Sequence, residues 1–266
     1  MELARQLRQR AASGEMVLGT FMVELKALGV PAVLKHCGFD FFMIDLEHGC
    51  YSDAETAQLI EAGKRHDICP LVRVASPDHE RITHMLDAGA QGLLIPMARS
   101  LDYVKEAVAQ SKYTPVGQRG MHFMRPHTEF DPPSNAVDYM EQANKNLITA
   151  IQIETMEAAE RMDEIAALDG VDMLYLGPGD LSASMGLPGQ PGHPRVWEVT
   201  QRIIEVCRKH GKIPAGHLGG VADAPKAVAM GMNVVAYAAS IRILINGATQ
   251  HVTDLRNAQA GSGGAD

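Results

Sequence analysis

The sequence predicts a closed (β/α)8 barrel, an α/β fold, on three observations. Eight short apolar runs recur along the chain, each separated from the next by an amphipathic, helix-patterned stretch. Eight such units in 266 residues match the size of a closed barrel, whereas a doubly wound open sheet more often has about five to seven strands. The alternation runs from one end to the other without a break in its logic, so residues 1–260 are expected to form one domain.

The strands are read, in order, at Val17 to Met22, Phe41 to Leu46, Leu71 to Val74, Gly92 to Pro96, Thr149 to Glu154, Met173 to Gly177, Ile213 to His217 and Val234 to Ala238. The helix after the second strand opens at Ser52, whose partner three residues on is Glu55, the pattern of a capping box. The helix after the third opens at Ser76, with Pro77 at the first helical position. Gly29, Gly89, Gly170 and Gly231 punctuate the chain just before a strand or helix, as helix stops do. Gly117 to Ser134 breaks the rhythm with glycine, prolines and two histidines, and reads as a long loop at one rim, a lid or a subunit contact. Gly261 to Asp266 has linker composition and is expected to be disordered.

Composition excludes several classes of function. With 46% hydrophobic and 21% charged residues the chain can bury a large core. It contains no run of about eighteen apolar residues, and its charged start lacks the apolar segment of a signal peptide, so a cytoplasmic enzyme with no membrane partner is expected. The net charge of −8 argues against nucleic acid, because phosphate binding is driven by clustered Lys and Arg. The four cysteines form no C-x-x-C pair, and no H-E-x-x-H occurs, which leaves no structural zinc site or redox dithiol.

The active face of such a barrel lies at the C-terminal ends of its strands, so polar residues there are the ones to examine. Asp45 ends the second strand and is followed by Glu47 and His48; Arg73 ends the third; Gln152 and Glu154 end the fifth; Asp180 follows the sixth. Side chains alternate across a strand. Gln152 and Glu154 therefore point into the barrel with Ala150, Asp45 with Met43, and Arg73 with Leu71. Singly, each has a structural explanation: an ion pair for Glu154, a salt bridge to Arg73 for Asp45, a surface loop for His48, a helix cap for Asp180. Together, two carboxylates converging with an arginine and a histidine are best explained by a hard divalent cation. Glu154 and Asp180 would supply two of about six oxygen ligands.

The strings Ile44 to Gly49 (IDLEHG), Leu71 to Arg73 (LVR), Leu94 to Met97 (LIPM), Gly117 to Gly120 (GQRG), Gln152 to Thr155 (QIET) and Gly177 to Ser182 (GPGDLS) resemble the class II, metal-dependent pyruvate aldolases. The family is that of 4-hydroxy-2-oxoheptanedioate aldolase and 2-dehydro-3-deoxyglucarate aldolase, and the similarity runs from about Gly19 to about Leu255. The resemblance implies a barrel assembled as a homohexamer, a trimer of dimers that exchange a C-terminal helix. It implies a cation (magnesium, manganese or cobalt) on Glu154 and Asp180, and pyruvate or a close 2-oxo acid contacted by Arg73, Gln152 and the backbone around Gly179 and Asp180. It makes His48 the catalytic base and Asp45 its partner. The chain departs from the pattern after the seventh strand, at Ala215 to Gly220 with His217, and around Met121 to Pro133; those stretches are expected to sense the acceptor aldehyde.

The chemistry fits those residue types. Aldol cleavage of a 4-hydroxy-2-oxo acid needs positive charge where an enolate develops and a base for the hydroxyl proton, and an imidazole has a suitable ordinary pKa of about 6.5. A Schiff-base aldolase would need a lysine inside the barrel, and all nine lysines fall in helices or loops. A lyase acting on coenzyme A thioesters would need a basic channel that this acidic chain does not offer, and a non-catalytic metal-binding barrel would not need the full constellation.

Overall fold

A computed structural model describes residues 1–262. Eight parallel strands close a barrel in simple sequence order. They are β1 (Val17–Met22), β2 (Phe41–Asp45), β3 (Cys69–Arg73), β4 (Gly92–Ile95), β5 (Ile148–Ile153), β6 (Met173–Leu176), β7 (Ile213–Leu218) and β8 (Val234–Ala239), and β8 pairs back onto β1. The helices are α1 (Glu2–Ala12), α2 (Val30–His36), α3 (Asp53–Arg65), α4 (His79–Asp87), α5 (Leu101–Ser111) and α6 (Ala136–Asn146) in the first half. The second half carries α7 (Met156–Glu160), α8 (Met162–Ala166), α9 (Pro178–Ser184), α10 (Pro194–His210), α11 (Ala224–Met230) and α12 (Ser240–Ser262).

Strand alternation divides the core into two layers. Phe41, Met43, Leu71, Leu94, Ala150, Met173, Ala215 and Ala236 fill the barrel interior. Phe42, Ile44, Val72, Leu93, Ile151, Leu174 and Val235 face outward onto helix residues such as Leu59, Ile82, Val104 and Ile203. At the N-terminal end α1 plugs the barrel, with Ala4 and Leu7 joining the interior cluster. Beside it the fully buried Lys112 ammonium donates to the Leu147 carbonyl at 2.7 Å and to Asp172 at 2.8 Å. The opposite, C-terminal end has no plug, so polar strand ends there face a cavity.

Local details confirm some expectations and correct others. The Ser52–Glu55 capping box is present at the start of α3. Helix α4 begins two residues later than expected: Asp78 is extended (φ −70°, ψ 128°) and its carboxylate accepts from the Arg81 N–H, so Pro77 lies in the approach rather than in the first turn. Gly89, Gly170 and Gly231 adopt positive φ as stops do, whereas Gly29 precedes α2 as its N-cap.

The segment from Gly117 to Ser134 is a long loop with a single short 3-10 turn at Pro126–Thr128. It joins α5 to α6 ahead of β5, and its Arg119 pairs with Asp87 at the foot of α4 at 3.0 Å. It therefore lies at the N-terminal rim, and within this chain Met121 to Pro133 are remote from the polar strand ends, contrary to the expectation that they sense the acceptor. Helix α12 runs through Ser262, two residues into the segment expected to be a disordered tail; residues 263–266 lie outside those described.

Candidate active site

The mouth of the barrel holds a cavity of ≈ 430 Å³ whose lining includes Asp45, His48, Arg73, Gln152, Gly179, Asp180 and His217. Every expected site residue except Glu154 lines it directly. Glu154 is buried just beneath, reached through its neighbours: its Oε2 accepts from Gln152 Nε2 at 2.5 Å, and a Cβ added at Gly177 would stand 2.9 Å from the same oxygen. A side chain at 177 would collide with that carboxylate and with the Gln152 amide, so this close approach requires glycine.

Among the described residues Glu154 makes no ion pair. Its Oε1 accepts from the Met97 backbone N–H at 2.6 Å. Met97 is held at φ 52°, a conformation that side-chain-bearing residues rarely adopt, and the strain turns its N–H onto the carboxylate. Burial above all, and then the negative charges of Glu47 and Asp180, push the Glu154 carboxyl up to about 7, against the Met97 hydrogen bond and Arg73, which lower it. Glu47 is raised as well, by burial first. The Gln152 carbonyl oxygen is buried without a partner. The mouth thus collects carboxylate charge that its own side chains do not neutralise, beside an unused amide oxygen.

Arg73 is already engaged. Its Nε and Nη2 donate to the two oxygens of Asp45 at 2.9 and 2.6 Å, and Nη1 lies 3.2 Å from Glu47. The guanidinium also stacks 5.0 Å from the Phe21 ring centroid, which fixes its plane. Asp45 further accepts from the Glu47 and His48 backbone N–H groups at 3.1 and 3.3 Å. Among the described residues the Asp45 carboxylate meets His48 at its backbone N–H and makes no hydrogen bond to its ring. Asp45 positions Arg73 and shapes the turn that carries His48, whose exposed side chain lines the cavity.

The far side of the mouth is built differently. A register shift between β1 and β8, where Gly19 pairs Ala236 but Phe21 pairs Ala239, leaves Ala238 at φ 49° and brings Ala238 and Ala239 into the lining. His217 stands edge-on to Phe21 at 5.6 Å, and burial, then Arg73, push its imidazole down to about 4, so it is neutral at pH 7. Arg242, at the start of α12, completes that wall. No lysine lines the cavity, which removes the Schiff-base route.

Sequence reasoning missed Met97, Phe21 and Arg242. Met97 acts through its backbone and leaves no side-chain signal, and Phe21 reads as ordinary core; Arg242 is placed at the mouth only by the turn from β8 into α12.

Among the described residues no group of three or more His, Cys, Asp or Glu side chains is arranged to hold a metal. The residues that could hold a cation here are the carboxylate pair of Glu154 and Asp180, a donor set that would suit a hard ion taking its other ligands from water and substrate. The uncompensated carboxylates and the orphaned Gln152 oxygen fit such an ion. No helix is long and apolar enough to cross a membrane among the described residues.

Comparison with known proteins agrees with this geometry. Residues 26–247 match the family model described as HpcH/HpaI aldolase/citrate lyase. The chain is 38% identical over 192 residues to the hydroxypyruvate/pyruvate aldolase of Sagittula stellata, covering 72% of this chain and 73% of that protein. It is 34% identical to the 4-hydroxy-2-oxo-heptane-1,7-dioate aldolase of Salmonella dublin, covering 81% of each. The crystal structure of an HpcH/HpaI aldolase from Desulfitobacterium hafniense superposes with a TM-score of 0.89 at 28% identity, covering 94% of this chain and 96% of that one.

Proposed function

The chain belongs to the HpcH/HpaI aldolase/citrate lyase family and is an aldolase, a carbon–carbon lyase; from that premise we propose that it is metal-dependent and interconverts 4-hydroxy-2-oxo acids with pyruvate, or a close 2-oxo acid, and an aldehyde. The observation that carries this reading is the unneutralised carboxylate pair, Glu154 and Asp180, beside the Arg73 guanidinium in one mouth. Glu154 and Asp180 would hold the divalent cation, of the magnesium, manganese or cobalt class. When bound it supplies Lewis-acid stabilisation for negative charge developing on the 2-oxo oxygen.

The remaining work falls to the chain's own residues. Arg73, locked in plane by Asp45 and Phe21, presents a fixed positive fork to the 2-oxo acid. Gln152 has one amide oxygen free, and the Gly179 and Asp180 amides stand in the first turn of α9, where N–H groups lack intrahelical acceptors. These are the groups that orient the carboxylate end. His48, on the rim, takes the C4 hydroxyl proton in cleavage and returns it in synthesis. The neutral His217, with Phe21 and Ala239, faces the departing aldehyde.

Helix α12 supports the assembly reading. Leu244, Ile245, Val252 and Leu255 are all exposed along it, the last at 73%, an apolar face suited to a second copy of the chain in a dimer and, by the family's habit, a hexamer. The test of the function is a panel of 4-hydroxy-2-oxo acids scored for pyruvate release through lactate dehydrogenase, with and without added magnesium, manganese or cobalt. Metal-stimulated pyruvate release is the expected result, and its absence across the panel overturns the reading.

A further inference from the structure

A second cavity, of ≈ 280 Å³, adjoins the active mouth on its β6–β7 side. Pro178, His217 and Gly219 line both spaces, so the two meet at the rim of β7. Strand parity separates their walls. His217 lies on the same side of β7 as Ala215, which is in the interior cluster, while Leu176 and Leu218 belong to the outer core layer. The second cavity is therefore outside the barrel, between its wall and α10, and opens inward only over the rim.

Glycines leave this rim unfilled. A Cβ placed on Gly219 meets no atom within 4 Å, and the same is true of Gly179 across the gap. The His217 ring beside it makes no hydrogen bond or ion pair among the described residues; its recorded contact is the edge-to-face one with Phe21.

The lining of the outer cavity is largely apolar and carries one acidic residue. Leu176, Val196, Leu218 and the Trp197 indole supply the apolar walls, and Asp223 stands among them with no ion pair or hydrogen bond for its carboxylate among the described residues. The nearby Lys226 ammonium lies over the Trp197 ring, 4.1 Å from its centroid, and is not paired with Asp223. A carboxylate entering this space would meet a like charge without a neutralising partner, which is unfavourable in a partly desolvated setting. An uncharged ring would be accepted by the indole, and a hydroxyl at its far end would find an acceptor in Asp223.

We infer that the outer cavity is the subsite for the tail of the acceptor, and that it selects aldehydes with an uncharged aromatic or flat apolar tail bearing a hydrogen-bond donor. The carbonyl carbon stays in the inner mouth and the tail crosses the rim at Gly219. This rests on the aldolase reading and specifies its acceptor class.

The experiment condenses pyruvate with acetaldehyde, benzaldehyde, 4-hydroxybenzaldehyde and 4-carboxybenzaldehyde and compares kcat/KM ratios between the wild type and three variants, so that intrinsic aldehyde reactivity cancels. Trp197→Ala is expected to lower benzaldehyde relative to acetaldehyde by roughly tenfold, the scale set by apolar pocket contacts. Asp223→Asn is expected to raise 4-carboxybenzaldehyde relative to benzaldehyde by roughly tenfold and to weaken the preference for the 4-hydroxy compound. Gly219→Val, at a position with positive φ absent and free space for the side chain, should obstruct the passage and depress all three aromatic acceptors relative to acetaldehyde. Ratios unchanged within about twofold in both Trp197→Ala and Gly219→Val would overturn the subsite, and an unchanged carboxylate ratio in Asp223→Asn would overturn its charge selectivity. Failure of the aldolase reading is visible separately: the wild type would then neither condense acetaldehyde nor exchange pyruvate methyl protons with solvent.

Discussion

Replacing Asp45 by Asn removes a charge while keeping the shape, and the geometry says where the damage falls. Asp45 Oδ1 accepts from Arg73 Nε, Glu47 N and His48 N, whereas Oδ2 serves Arg73 Nη2 alone. An asparagine would keep its oxygen at the first position, which satisfies three donors, and turn its NH2 toward Nη2. Two donors then face each other at a place where the wild type has a 2.6 Å hydrogen bond. The side chains are 9% and 2% exposed, so water cannot take over. Removing one partner of such a pair costs about 3–5 kcal/mol, with the residual Glu47 contact at 3.2 Å offsetting part of it. Urea unfolding should show an unchanged slope and a midpoint lowered by that free energy divided by the slope. Because the guanidinium plane is lost, aldol cleavage and oxaloacetate decarboxylation should fall together, by roughly 10²-fold for a displacement near 1 Å. A loss of stability below about 1 kcal/mol, as for an exposed pair, refutes the structural argument. Cleavage lost with decarboxylation intact refutes the assignment of Asp45 to Arg73 and returns it to His48.

Three further outcomes follow from the same geometry. His48→Ala should depress aldol cleavage by about 10²–10⁴-fold while leaving oxaloacetate decarboxylation, which has no hydroxyl proton to remove, near the wild-type rate; an unchanged ratio would assign the proton to another group. Chelation should abolish activity reversibly, and Glu154→Ala or Asp180→Ala should fold yet lose the rise in melting temperature that added manganese gives the wild type; a full rise in both variants excludes them as ligands. Lowering the pH should destabilise the fold between about 6.5 and 4, because burial pushes both His217 and His127 down to about 4 and the unfolded chain then binds protons that the folded chain refuses; the raised Glu154 carboxyl acts in the opposite sense and offsets about one histidine's share. A depressed histidine contributes stability that is present above its unfolded pKa and lost as pH falls toward the folded value, about 3 kcal/mol for each at 1.36 kcal/mol per unit. His127→Gln, measured by urea unfolding at pH 7 and pH 4.5, should shrink that pH dependence, and an undiminished one would remove His127 from the account.

The barrel was legible because eight short apolar runs alternate with amphipathic stretches, as strands buried on both faces and joined by helices must, and all eight runs lie on observed strands. Parity also placed Asp45, Arg73 and Gln152 correctly, since a residue two positions from an interior side chain must share its face. What alternation cannot decide is which neighbour a side chain chooses once it arrives. Asp45 lies three residues from His48 and twenty-eight from Arg73, and alternation leaves open that its carboxylate takes the more distant guanidinium. The expectation that Met121 to Pro133 sense the acceptor fails for a different reason. The segment leaves the end of α5 and reaches β5 through α6, so it stays at the N-terminal rim, however rich it is in histidine and proline. Met97 lies in the LIPM string, yet its role leaves no side-chain signal, because its contribution is a backbone N–H turned by a positive φ.

The two sides of the mouth differ in a way that bears on specificity. The 2-oxo acid side is over-determined: Arg73 is held by two carboxylates and a ring, and Glu154 by a strained amide and Gln152, so small displacements there meet opposition from several directions. The acceptor side is loosely determined, with a neutral imidazole touching one ring edge, two alanines brought in by a register shift and glycines at the rim. Substitutions on the first side should remove the shared enolate chemistry, and those on the second should change only the partner it meets. Specificity can therefore diverge at His217, Gly219 and the walls beyond them without disturbing the residues that generate the nucleophile, which is the division expected when one reaction must be offered to different aldehydes.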